Sequence, residues 1–175
     1  VAVLVRTRSH LAAIIPELNR AGIRFQALDV EPLAECSVIS DLMALARALL
    51  HPADCISWLA ILRAPWCGLT LADMHALAGE MHNLTIWELM RKEEITAAVS
   101  SDGQARLRRF SLFLEQSLAQ VRRVPLDELV AGTWLALGGA AVIRSESELE
   151  QAQILFELLQ QFDHGGDLDD FAALN

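Results

Sequence analysis

The hydrophobic pattern changes character after the first thirty residues. Val1-Ala-Val-Leu-Val5 is an unbroken apolar run that stops at a polar, basic stretch, Arg6-Thr-Arg-Ser-His10. A short continuous run of this kind predicts a strand buried on both faces, as in a parallel sheet. Ser9 is placed to cap a helix over 11–20, Gly22 to close it, and Ile23–Leu28 to form a second strand. The first segment thus reads as one β-α-β unit. Its strand-to-helix loop carries Arg6, Thr7, Arg8, Ser9 and His10, and loops at the carboxyl ends of strands are where open α/β sheets bind ligands.

From residue 37 onward the apolar positions recur at the helical period. Leu42, Leu45, Ala46 and Leu49 share a face of a helix capped by Ser37 or Ser40, and His51-Pro-Ala-Asp54 ends it. Asp54 caps a second helix with Ile56, Leu59, Ala60 and Leu62 as its apolar positions, which stops before Pro65. Thr70 caps a third, closed at Gly79, and a short helix over 85–90 precedes Lys92-Glu-Glu-Ile-Thr. The longest periodic segment follows Ser100, with Leu107, Phe110, Leu114, Leu118 and Val121 on one side and Arg106, Arg108, Arg109, Arg122 and Arg123 on the other. Pro125 suits the first turn of a helix holding Leu129, Val130, Trp134, Leu135 and Leu137, ended by Gly138-Gly139. Ser145-Glu-Ser-Glu148 has the spacing of a capping box for a helix with Leu149, Ala152, Leu155, Phe156, Leu159 and Phe162. Gly165-Gly166 ends it, and Asp167 starts a last short helix with Phe171.

Composition agrees with a helical reading. The apolar fraction is 53% against 21% charged, tyrosine is absent, and leucine and alanine dominate. Charge divides the chain: residues 1–125 hold equal numbers of basic and acidic residues, whereas 126–175 hold Arg144 against ten acids. The formal charge of −9 therefore resides in the last fifty residues, so a phosphate ligand is expected to meet the earlier part. Cys36, Cys55 and Cys67 are odd in number and form no close pair, which predicts free cytosolic thiols. No apolar run approaches the roughly 20 residues that cross a bilayer, and no signal peptide is visible. The chain opens with valine, inside a strand, and is expected to come from a longer protein.

Few residues form a reactive constellation. His75 and His82 lie on either side of Gly79 with no cysteine or carboxylate cluster to complete a metal site. Phosphate-loop, dinucleotide and nucleophile-elbow patterns are absent. Asp167, Asp169 and Asp170 lack the glycine and glutamate of a calcium loop and suit an acidic helix start. The arginines between 106 and 123 read either as phosphate contacts or as a solvated face. Trp58 and Trp134 fall on apolar faces and read as core, while Trp66 and Trp87 are open to either core packing or base stacking.

Residues 1–80 resemble a segment of UvrD/Rep-type superfamily 1 DNA helicases, close in style to RecB or AddA. The resemblance rests on Val-Ala-Val-Leu-Val-Arg-Thr-Arg-Ser-His10 with Ala-Gly-Ile-Arg-Phe25, on Leu33 through Asp41, on Leu42 through His51-Pro-Ala-Asp54, and on Leu62-Arg-Ala-Pro-Trp-Cys-Gly-Leu-Thr70. Departures are Arg8, where the family often has asparagine, and Val38-Ile39, where it often has a Glu-Ile pair. The resemblance implies a fold that is mainly α: a helical 2B-like domain over 32–175, preceded by a partial RecA-like 2A segment over 1–31. It implies a fragment of a cytoplasmic, ATP-dependent helicase of DNA repair and recombination, translocating 3′ to 5′ on single strands, with an exonuclease elsewhere in some relatives. ATP and Mg2+ would serve the full-length protein, through residues outside this chain, and the fragment alone would be inactive. Arg6, Thr7, Arg8, Ser9 and His10 would be its DNA contacts, and its partners would be DNA and other domains of the same chain, with no membrane. The acidic last fifty residues suit a different role, a helical adaptor that binds protein and not DNA.

Overall fold

A computed structural model describes residues 37–79 and 84–163, together with 14, 17, 18, 20–22 and 165. The described residues are mainly helical and include no strand. Both strands expected in the first segment, and the last short helix with Phe171, lie outside them. Ile14, Glu17, Leu18 and Arg20 are helical, and Gly22 follows with φ +66°, the left-handed conformation that closes a helix.

The organising element is α1, Ser37–Leu50, which packs against α2 (Cys55–Arg63), α7 (Leu126–Ala136) and α8 (Glu146–Phe162). Neighbours on several sides explain why nine of its fourteen residues are buried, Met43, Ala48 and Leu50 among them, and not one stripe only. Each fully buried leucine here contributes about 1.5–3 kcal/mol of transfer free energy, so Leu42, Leu45 and Leu49 anchor the domain. Val38 and Ile39 belong to the same core.

Around α1 the chain continues as α3 (Leu71–Ala78), α4 (Ile86–Met90), α5 (Glu93–Thr96) and α6 (Ser101–Leu118), with a 3-10 turn at Gly139–Val142 between α7 and α8. The caps sit where the sequence places them. Asp54 accepts from the Ser57 backbone N–H at 3.1 Å, Thr70 from Asp73 at 3.1 Å and Ser145 from Glu148 at 3.2 Å. The capping box expected at Ser145 is only half formed, because Glu148 reaches past it to the Arg144 N–H at 2.7 Å. The reciprocal box is at Thr85, whose backbone N–H donates to Glu88 at 2.7 Å. The exception is α1, where both candidates, Ser37 and Ser40, lie inside the helix and neither is its cap. Pro125 precedes α7, and Asp163, beyond the end of α8, accepts from the Leu126 N–H at 2.8 Å, joining the two ends.

Two positions expected on apolar faces are instead exposed, while the rest of the α7 face, Leu129, Val130, Trp134 and Leu137, is buried as expected. Ile56 is 81% exposed, while Ser57, Trp58, Ile61 and Leu62 face the core. Leu135 is exposed beside buried Trp134. Among the described residues no helix is long and apolar enough to cross a membrane.

A second tie holds α3 to the start of α6. Asp73 is buried, accepts from the Ser100 backbone N–H at 2.8 Å and from the Thr70 hydroxyl at 2.8 Å, and its oxygen would lie 2.9 Å from a Cβ at Gly103. The Ser100 N–H, then the Thr70 donors, hold this carboxyl below its ordinary range. A depressed carboxyl stabilises the fold fully above the ordinary carboxylate pKa, and the contribution is lost as pH falls through the lowered value. Asp73→Asn is therefore expected to cost about 1–3 kcal/mol at neutral pH and to lessen the loss of stability below pH about 4. Thermal melts across that range check both parts.

Candidate functional site

The loop expected to touch DNA, Arg6, Thr7, Arg8, Ser9 and His10, lies outside the described residues. So do Cys36, His82 and the acidic group at Asp167, Asp169 and Asp170. The described part of the resemblance is the succession α1, turn, α2, turn, α3. The first turn is His51-Pro52-Ala53-Asp54, where the Asp54 N–H donates to the His51 carbonyl at 2.9 Å and proline blocks continuation of α1. The second runs from Ala64 to Leu69. Its Ala64 carbonyl accepts from both Cys67 and Gly68, at 3.0 and 2.8 Å, and the Leu69 N–H reaches back to Leu62 at 2.9 Å. Gly68 has φ +67°, so this turn needs glycine.

Asp41, the residue matched to the family's aspartate, is half-buried on α1. Desolvation pushes its carboxyl from 3.8 up to about 6, against the attraction of Arg63 at the end of α2. The folded state therefore holds a proton there that the unfolded chain has lost, so stability falls as pH rises from about 4 to 6. Asp41→Asn is expected to remove this fall, giving a flatter melting-temperature profile across that interval by calorimetry.

A cluster of polar groups lies where α6 meets the turns after α2 and α7. Arg106 donates from Nε to Asp102 at 2.7 Å and from one terminal nitrogen to the Cys67 carbonyl at 3.1 Å. Arg109, one turn along, donates to the Leu137 carbonyl at 3.2 Å. Each carbonyl belongs to a turn with a left-handed glycine next to it, Gly68 or Gly138 at φ +85°. A Cβ at Gly68 would sit 2.9 Å from the Arg106 guanidinium, and one at Gly138 would sit 3.3 Å from that of Arg109. These glycines serve both the turn and the close approach of an arginine. The expected solvated face is thus only partly a bystander: Arg106 and Arg109 are exposed, yet each guanidinium is fixed on main chain.

Together with Pro65, Trp66, Ala105 and Phe110, these groups line a half-open cleft of about 350 Å³. Burial pushes the Cys67 thiol up to about 12, against the nearby Arg106, so the cleft holds a neutral thiol. Neither Cys55 nor Cys67 is in a disulfide. Sequence reasoning misses this meeting of elements because Arg106 and Cys67 are 39 residues apart, and Arg109 and Leu137 are 28 apart. The only legible signal is the pair of arginines at i, i+3 and a glycine in each distant turn.

Of the four tryptophans, Trp58, Trp66 and Trp134 are buried, so the option of base stacking closes for Trp66. Trp87 is half-buried, 5.8 Å from Trp58, with the Arg91 guanidinium 5.5 Å from its ring centre. Among the described residues, no group of three or more His, Cys, Asp or Glu side chains is placed to hold a metal ion. No protein-family model matches the chain, and no curated protein matches it.

Proposed function

We propose that this chain is a piece of a UvrD/Rep-type superfamily 1 DNA helicase, spanning part of its second RecA-like domain and most of its inserted helical 2B-like domain. The observation that carries this reading is the order of α1, the His51–Asp54 turn, α2, the glycine turn at Gly68 and the Thr70-capped α3, on the residues that resemble the family. In that role the piece guides DNA and orients the helical domain against the motor, in the cytoplasm, during repair or recombination. Arg6, Thr7, Arg8, Ser9 and His10 supply the single-strand contacts. ATP and Mg2+ act through other parts of the parent protein, which in some relatives also carries an exonuclease, and the piece alone hydrolyses nothing. Guanidiniums suit this task because they bind phosphate through paired, charge-assisted hydrogen bonds.

The acidic stretch from residue 126, with Leu149, Ile154 and Phe162 exposed on α8, favours a second reading, a helical adaptor that binds protein. Fluorescence anisotropy of a labelled duplex with a 3′ single-stranded tail separates the two. The helicase reading predicts binding at low salt that weakens steeply as salt rises. An absence of binding at low salt would contradict it and leave the adaptor.

A further inference from the structure

We propose that the cleft between the start of α6 and the turns at Cys67 and Leu137 is a phosphate-binding site, with Arg106 and Arg109 as its ligands. The cleft does not depend on the helicase assignment. Arg106 and Arg109 are three residues apart on α6, about one helical turn, and both line the same cleft. Their main-chain anchors, the Cys67 and Leu137 carbonyls at 3.1 and 3.2 Å, hold them in place before any ligand arrives. Those anchors use a minority of the five N–H donors that each guanidinium carries. Such prior ordering removes part of the entropy cost of binding.

The charges converge on an anion. Asp102 is the carboxylate in the lining, and its oxygen is engaged by the Arg106 Nε at 2.7 Å, which leaves Arg109 in excess. The Cys67 thiol is protonated and adds no negative charge. Pro65, Trp66, Phe110 and Leu137 supply the apolar wall of the cleft. At about 350 Å³ the space takes a phosphate together with the group that carries it. A nucleic-acid backbone and a free phosphate are the two sources of that chemistry.

The test is titration of the whole chain, in fixed ionic strength, with inorganic phosphate, with the 5′-phosphorylated dinucleotide of thymidine and with sodium chloride. Arginine Nε–H resonances and dissociation constants are read in parallel. The expected result is saturable shifts at Arg106 and Arg109 with both phosphates and none with chloride. Arg109→Gln is expected to weaken binding about tenfold, the effect of removing one charge-assisted hydrogen bond, with Arg109→Lys intermediate and Arg123→Gln within about twofold of the parent. A dinucleotide that binds more tightly than inorganic phosphate identifies the strand backbone as the source, and equal affinity identifies free phosphate. Shifts that follow chloride equally, or binding unchanged in Arg109→Gln, would overturn the site. If Arg109→Gln fails to fold, the parent resonances and Arg109→Lys decide.

Discussion

Replacing Trp58 with alanine is expected to destabilise the chain by about 3–5 kcal/mol, the cost of truncating a buried aromatic. Trp58 has no exposed surface, lies on the α2 face that meets the core and stands 5.8 Å from Trp87. The partners are in helices on both sides: α2 packs on α1 and on α4, so neither can close the cavity without leaving the other. For a domain of this size the melting temperature should drop by roughly 10 °C. The indole N–H adds a sharper expectation, since it has no hydrogen-bond partner among the described residues. Trp58→Phe removes a buried, unpaired donor along with some ring volume, and the two effects oppose each other. Its cost should accordingly be well under half that of the alanine change. Denaturant melts of both variants check the pair, and equal costs would show that the N–H, not the ring, matters at this position.

Gly139→Ala is the second large effect, and it comes from overpacking. A Cβ there would lie 1.9 Å from the Trp134 Nε1 and 2.1 Å from Cδ1. Trp134 cannot withdraw easily: it is buried, and its ring packs 5.9 Å from that of Phe156 on α8. Gly139 opens the 3-10 turn directly after Gly138, so the backbone is held as well. The expected cost is about 3 kcal/mol, toward the top of the overpacking range. Adding Trp134→Ala in the same chain should recover part of the glycine substitution's cost, because the atoms that clash are then gone. A double-mutant cycle by calorimetry measures this coupling, and strictly additive costs would place the strain elsewhere.

These two positions also show what the sequence does and does not convey. Trp58 and Trp134 read as core from their helical phase, and both are core. The caps at Asp54, Thr70 and Ser145 are equally legible, because a capping side chain bonds within three residues of itself and needs no tertiary partner. Ile56 departs from its expected burial for the opposite reason. The segment Cys55–Leu62 is apolar on nearly every side, so period alone cannot choose a face, and packing on α1 buries Ile61 with the expected Trp58 and Leu62 while Ile56 is left outside. Leu135 follows the same logic beside Trp134. The arginine anchors are invisible in sequence for want of range: nothing near Arg109 announces the Leu137 carbonyl. The first loop is legible as a pattern of basic and hydroxyl residues after an apolar run, and it lies outside the described residues.

The central functional claim therefore turns on that loop. The direct measurement is the salt dependence of binding to a tailed duplex, compared between the parent chain and a variant with Arg6→Glu and Arg8→Glu. If these arginines neutralise phosphates, affinity should fall and the slope of log K against log salt should become shallower by about two, one for each phosphate left without its arginine. An unchanged slope, with binding retained, would contradict the assignment and remove the loop from the DNA path.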